Sequence, residues 1–202
     1  MTVSATSCTT ELEAVNTMLQ AVGADPVSSL TGSPDSDVAN ALSILHETSK
    51  QIQSQGWNFN LDQKYSLART IDNYYVVPDN VAVMDVSDDY PTVRATIRAG
   101  KMWDQDNHTF VWDKDLTFDI VWLFPFTELP QTARHYITMK AARKFQARML
   151  GSEGLGKFTG QDEAEALYIF TDAEALDAHH NILTDNYSVY RTLNRWPSSL
   201  VP

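Results

Sequence analysis

A run of 24 residues, LPQTARHYITMKAARKFQARMLGS at 129–152, carries no aspartate or glutamate in a chain that holds 26 of them. Five of the chain's fifteen basic residues, Arg134, Lys140, Arg143, Lys144 and Arg148, lie inside it. The remainder sets ten basic residues against 26 acidic ones, a net charge of −16. On a helical wheel at about 100° per residue the five cations fall in one half, opposite Thr138, Met139, Ala142, Phe145, Met149 and Leu150. Pro130 suits the first turn of such a helix and Gly151 its end. At roughly 1.5 Å per residue the rod spans about 30 Å, enough to cross a small domain. Two uses are open to it. It is a core-packed helix with a solvated outer face, or a basic stripe that meets an acidic partner surface.

The remaining totals narrow the class. A length of 202 residues suits one ordinary domain or two small ones, and 43% hydrophobic content is that of a globular chain. A single cysteine, Cys8, rules out a disulfide within the chain. No apolar run approaches the roughly 20 residues of a membrane span. The N-terminal residues lack the basic and then apolar pattern of a signal peptide. A net charge of −11 opposes tight general binding to phosphate backbones, though not the wall of a channel past which DNA slides.

Taken in order, the chain opens with a helix over 10–22. Thr10 and Glu13 have capping-box spacing, and Leu12, Val15, Leu19 and Val22 form one stripe that Gly23 stops. After a linker rich in Gly, Pro and Ser, a second helix is expected from Ser33, with Pro34 in its first turn. Val38, Leu42, Leu45 and Ile52 repeat at helical spacing before Gly56. From Trp57 the period changes to two, with Trp57, Phe59 and Leu61 alternating with Asn58, Asn60 and Asp62, the pattern of a half-buried strand. Short strand candidates follow at 74–77, 81–86, 92–98, 101–103, 108–112 and 116–124, with a hairpin turn over 104–107. The basic helix comes next. A last helix is expected over 159–183, with Ala164, Leu167, Tyr168, Thr171, Ala175, Ala178 and Ile182 on its inner face. Asp162, Glu163, Glu165, Asp172, Glu174 and Asp177 then fall on its outer one. The fold class is α+β: about four helices in a bundle formed by 1–56 and 128–183, and a β-sheet domain over 57–127 inserted between the second and third. A C-terminal arm covers 184–202.

No catalytic, cofactor or metal site emerges from the residue patterns. Gly151, Gly156 and Lys157 fit P-loop spacing, but Phe158 stands where the magnesium-binding hydroxyl belongs, and the loop follows a helix instead of a strand. Adjacent His179 and His180 diverge by about 100° on a helix, poor geometry for chelating one ion. His135 falls on the apolar face of the basic helix, as a core histidine with its hydrogen bonds satisfied. Carboxylate pairs such as Asp104 with Asp106, or Asp113 with Asp115, could be read as a glycoside hydrolase's acid and nucleophile. Turn aspartates that accept local backbone amides are the better account.

Two stretches carry a family resemblance. ELEAVNTMLQAVGADPVSSL at 11–30 and QIQSQGWNFN at 51–60 resemble the opening of the tail tubular protein A family, the adaptors of short-tailed phages of the Autographiviridae type. ELPQTARHYITMKAARKFQARMLG at 128–151 is similar to that family's central helix. EAEAL at 163–167 and HNILTDN at 180–186 continue the match in order, whereas the β region matches only in character. The resemblance implies a structural virion component without catalytic duty. It implies a ring of twelve copies between the portal and a nozzle of the tail tubular protein B type, with tail fibres attached nearby and genomic DNA passing through unbound. No membrane or cofactor is involved. The place implied is the virion tail, reached from the host cytoplasm. From their charge, at least two of Lys140, Arg143, Lys144 and Arg148 are expected at an interface with acidic residues, either of the 162–177 helix or of an adjoining ring subunit or the portal. Tyr187, Tyr190 and Trp196 of the arm are expected on a neighbouring subunit, the portal or the nozzle. Trp57 and Phe59 are expected as buried anchors where helix gives way to strand, with Gly56 as the helix stop.

Overall fold

The structure is a computed structural model and describes residues 7–31, 36–150 and 156–177. Its order is α1 (Glu11–Ala21), α2 (Ser36–Gln53), β1 (Leu61–Ser66), β2 (Val81–Val86), β3 (Ala95–Arg98), β4 (Lys101–Asp104), β5 (Thr117–Trp122), a single 3-10 turn (Phe126–Glu128), α3 (Gln131–Leu150) and α4 (Gly156–Asp177). The α+β class is borne out, with strands set between the second and third helices.

The opening of α1 follows from its sequence. Thr10 Oγ1 accepts from the Glu13 amide at 3.2 Å, and the Glu13 carboxylate accepts from the Thr10 amide at 2.8 Å. Two otherwise orphaned donors are satisfied reciprocally. The apolar side of α1, Ala14, Val15, Met18 and Leu19, is buried.

The basic stretch does form a helix, α3, and it is the hub of the bundle, packing against α1, α2 and α4. Three neighbours need more than one apolar stripe. Ala133, Tyr136, Ile137, Ala141, Ala142 and Phe145 are all buried, as are Thr138 and Gln146, while Met149 is exposed. The expected division into two halves gives way to a helix covered on most of its circumference, with its cations at the seams. One cation has a purely structural task. The Arg134 guanidinium donates to the carbonyls of Leu129, Thr127 and Thr9. It thereby ties the turn before α3 to the chain entering α1.

The strands form a three-stranded antiparallel sheet in the order β1-β5-β2, and a separate hairpin of β3 with β4. Tyr75, Met84, Met102, Trp112, Leu116, Phe118 and Ile120 make a core distinct from the helical one. Of the strand candidates, 81–86 is β2, 92–98 and 116–124 contain β3 and β5, and 101–103 falls within β4. Segments 74–77 and 108–112 contribute only isolated bridges, Val76 to Lys101 and Thr109 to Asp104.

The strand expected from Trp57 is not there. Residues 57–60 form a turn, and β1 starts at Leu61. Asn60, placed by the alternation on the solvent side, is buried. Its side chain accepts from the Trp57 amide at 2.8 Å and donates to the carbonyls of Gln53 at 2.8 Å and Trp122 at 2.7 Å. An asparagine that satisfies three backbone groups holds a turn more firmly than a half-buried ladder would hold a strand. Trp57 and Phe59 lie half-buried against the helical core. Gly56 ends the helical segment at φ +74°, and a β-carbon there would meet Val121 Cγ2 at 3.1 Å.

Candidate functional site

Three charged surfaces could serve assembly. The first is the cation row of α3. Arg143 pairs with Glu163 of α4 at 2.7 Å, and Arg148 with Glu47 of α2 at 3.4 Å. Lys144 Nζ donates to Gln51 Oε1 at 2.6 Å, and Lys140 Nζ donates to the Tyr136 hydroxyl at 3.1 Å. All four therefore have partners within their own chain. Each pair is at least partly solvated and contributes at most about 1 kcal/mol; three of them bridge α3 to α2 or α4, while that of Lys140 lies within α3. Beside Arg148, a groove of about 250 Å³ is lined by Asn40, Ser43, Ile44, Phe145 and Met149.

The second surface is α4, whose orientation differs from the sequence expectation. Its buried positions are Ala166, Phe170 and Glu174, with Glu163 and Ala173 half-buried. The anticipated inner residues Ala164, Leu167, Tyr168, Thr171 and Ala175 are exposed instead. The cause is Phe170. Its ring centroid lies 4.5 Å from that of Trp57 and 5.6 Å from that of Tyr136, on which it stacks. One large ring at the centre of an aromatic cluster outweighs several smaller side chains in choosing the face. Glu174 becomes buriable because its carboxylate accepts from the Asn58 amide at 2.7 Å, while its backbone carbonyl accepts from the Asn58 side chain at 2.7 Å. What α4 turns to solvent is apolar and acidic together. Tyr168 and Leu176 are each 71% exposed, Ile169 is exposed beside them, and Asp162, Glu165 and Asp172 lie along the same side. None of these three carboxylates has an ion-pair partner among the described residues.

The third surface went unnoticed in the sequence. The octet RATIRAGK at 94–101 holds three cations and no acid. Period-two placement puts Arg94, Thr96 and Arg98 on one side of the β3–β4 hairpin, and the register pairs Thr96 with Trp103 and Arg98 with Lys101. Ile97 pairs with Met102, which is buried in the β core, so the cationic side is turned away from that core. The Arg98 guanidinium stands 5.0 Å from the Trp103 ring centroid, and Lys101 Nζ stands 4.3 Å from that of Tyr74. Trp103 also packs edge-on with Phe110, with centroids 4.6 Å apart. The signal that could have found this surface was a local excess of like charge at strand spacing.

The carboxylate pairs have structural surroundings. Asp104 accepts from the amides of Asp106 and Asn107 and from the Asn107 side chain, all between 2.9 and 3.0 Å. Burial alone would raise its pKa, but these donors outweigh burial and hold the carboxyl below its ordinary value. Asp115 pairs with Arg69 at 2.8 Å, and Asp113 is exposed. Burial raises the Tyr75 pKa; its hydroxyl accepts from the Leu116 amide at 2.7 Å and donates to the Lys114 carbonyl. His46 lies 3.0 Å from the Glu11 carboxylate, and His135 is half-buried. Among the described residues, no cluster of His, Cys, Asp and Glu is arranged to hold a metal, and no helix is long and apolar enough to cross a membrane. Ser33 and Pro34, the glycine-rich loop, the Lys157 and Phe158 side chains, His179 and His180, and the arm with Tyr187, Tyr190 and Trp196 lie outside the described residues.

Compared with known proteins, residues 12–179 match a family model described as Tail tubular protein. No curated protein matches the chain.

Proposed function

This chain belongs to the tail tubular protein family, so it is a structural protein of a phage tail, and we propose that it is the adaptor subunit of that tail. Twelve copies form a ring between portal and nozzle, DNA passes through the lumen, and fibres attach at the junction with the nozzle. The observation that supports this reading is continuity. The match runs from the first turn of α1 through the whole of α4, so both the helical hub and the inserted β lobe belong to one family architecture. A ring needs two different, complementary surfaces on each subunit. An acidic chain with a cationic hairpin has both. Walls that are mostly acidic let DNA slide, because each phosphate neutralised by the protein would add affinity and drag. In this scheme the chain is held in the host cytoplasm before assembly, and Tyr187, Tyr190 and Trp196 of the arm dock on a neighbouring copy, the portal or the nozzle.

Electron-microscopic class averages of the purified chain, alone and mixed with purified portal, test the proposal. Twelvefold rings stacked coaxially on the portal are the expected result. A chain that stays monomeric in both samples would overturn it.

A further inference from the structure

We propose that the cationic, aromatic side of the β3–β4 hairpin on one copy docks on the acid-rimmed apolar side of α4 on the next. This rests on the ring reading above and adds to it the two surfaces that meet. The occupant of the α4 face is chosen by what each surface lacks. Tyr168, Ile169 and Leu176 form an apolar strip that the chain's own core leaves uncovered. Asp162, Glu165 and Asp172 border it without cationic partners among the described residues. Arg94, Arg98 and Lys101 have the converse need, with no carboxylate partner among the described residues and two of the three resting on aromatic rings. The cations of α3 do not compete for this role, since Arg143 and Arg148 already pair with Glu163 and Glu47.

The chemistry of the match is specific. Guanidinium and ammonium groups seated on rings keep their charge while shedding part of their hydration, which lowers the cost of bringing them to a carboxylate. Tyr168 and the Trp103–Phe110 pair supply the aromatic contact that concentrates binding energy at interfaces. The C-terminal part of α4 is held to the turn at Asn58, from which the chain enters the β lobe, so the helix that offers one surface is fixed to the lobe that carries the other. The contact is heterologous, hairpin to helix, so each copy keeps one free surface of each kind until a ring closes.

Charge reversal provides the test. One variant carries Arg94→Glu, Arg98→Glu and Lys101→Glu; a second carries Asp162→Lys, Glu165→Lys and Asp172→Lys; a third carries both sets. Sedimentation velocity over a range of concentrations, with and without purified portal, reads self-association. Each single-set variant is expected to weaken association by about tenfold or more, and the third to recover most of that loss. All six positions are exposed or at the surface of a hairpin, and far-ultraviolet circular dichroism should show native fold content in each. If a reversed set does unfold, Tyr168→Ser with Leu176→Ser, which removes no charge, is expected to weaken association instead. Rings that form equally well from both single-set variants would overturn this contact while leaving the ring intact. Normal assembly of the hairpin variant with a salt-sensitive loss of duplex DNA binding would overturn it in favour of a DNA-facing hairpin. A wild-type chain that never associates, even on the portal, would overturn the ring reading and this contact together.

Discussion

In the helical half, stability is carried by interdigitated apolar side chains around one central rod; in the β lobe, a smaller core is framed by polar anchors. Around α3, Phe145, Ala41, Ile44 and Val38 belong to one buried cluster, in which Phe170 packs against Tyr136 and Trp57. Around Tyr75 and Phe118 the apolar cluster is smaller, and the loops that close over it depend on particular donors and acceptors. Tyr75 receives Leu116, Asp104 gathers the turn at 105–108, and Arg69 binds Asp115 and the Trp112 carbonyl. A helix satisfies its own backbone and asks only for a buried side. Short strands joined by long turns leave many backbone groups to be met one at a time.

That contrast can be broken by experiment, beginning where the effect is largest. Phe170→Ala removes the ring that sets the orientation of α4 and is expected to cost about 3–5 kcal/mol in a denaturant melt. Trp57→Ala, at a half-buried ring, should cost less; a larger loss at Trp57 would relocate the centre of that cluster. Asp104→Ala is expected to cost about 2–3 kcal/mol, since it orphans three donors at once. The pH dependence has a definite sign. The folded carboxyl titrates below its ordinary value of 3.8, so its contribution is whole above that value and is lost as the pH falls through the lower folded one. Amide exchange at Asn107 should therefore accelerate, relative to amides of α3, only in that acid window. Acceleration already at neutral pH would show that the carboxylate does not hold the turn.

Gly56→Ala should cost about 1–3 kcal/mol, because it combines a left-handed backbone with a close approach to Val121. It strikes the junction between the two regions, so both should lose stability in one transition; two separated melts would mean they fold independently. Thr10→Ala is the smallest change, about 1 kcal/mol, confined to the first turn of α1. Its check is local amide exchange at Glu13, with the β lobe unaffected.

How far the sequence could be read follows the same division. The capping box at Thr10 and Glu13, the stripes of α1 and α2, and the existence of α3 were all legible, because helix periodicity and caps are local signals. The face of α4 was not. Its apolar residues surround the helix, and Phe170 wins only because Trp57, Phe59 and Tyr136 are brought to it by tertiary contacts. β1 gave no alternation because nearly every residue in it is exposed, and a bulge at Lys64, with φ +55°, interrupts its pairing with β5. The Trp57–Leu61 alternation was real as a pattern, but Asn60 turned it into a turn. The cations of α3 could be counted in the sequence. Glu163 lies on the acidic 162–177 helix that was open to them as a partner, whereas Glu47 and Gln51, more than 90 residues away, needed the packed bundle to be seen.

The junction has a mechanical consequence. Chain entry into the β lobe at Leu61 and chain exit at Val121 are cross-strand partners, and Gln53 clasps the exit, donating to the Phe124 carbonyl at 3.1 Å and accepting from its amide at 2.8 Å. The lobe thus hangs from the bundle by two adjacent straps that run side by side. A pull on the lobe divides between them, along the covalent chain. The hydrogen bonds joining the straps lie across the line of tension and carry little of it. A part suspended in this way can transmit a tug to the helices without first unravelling its own sheet.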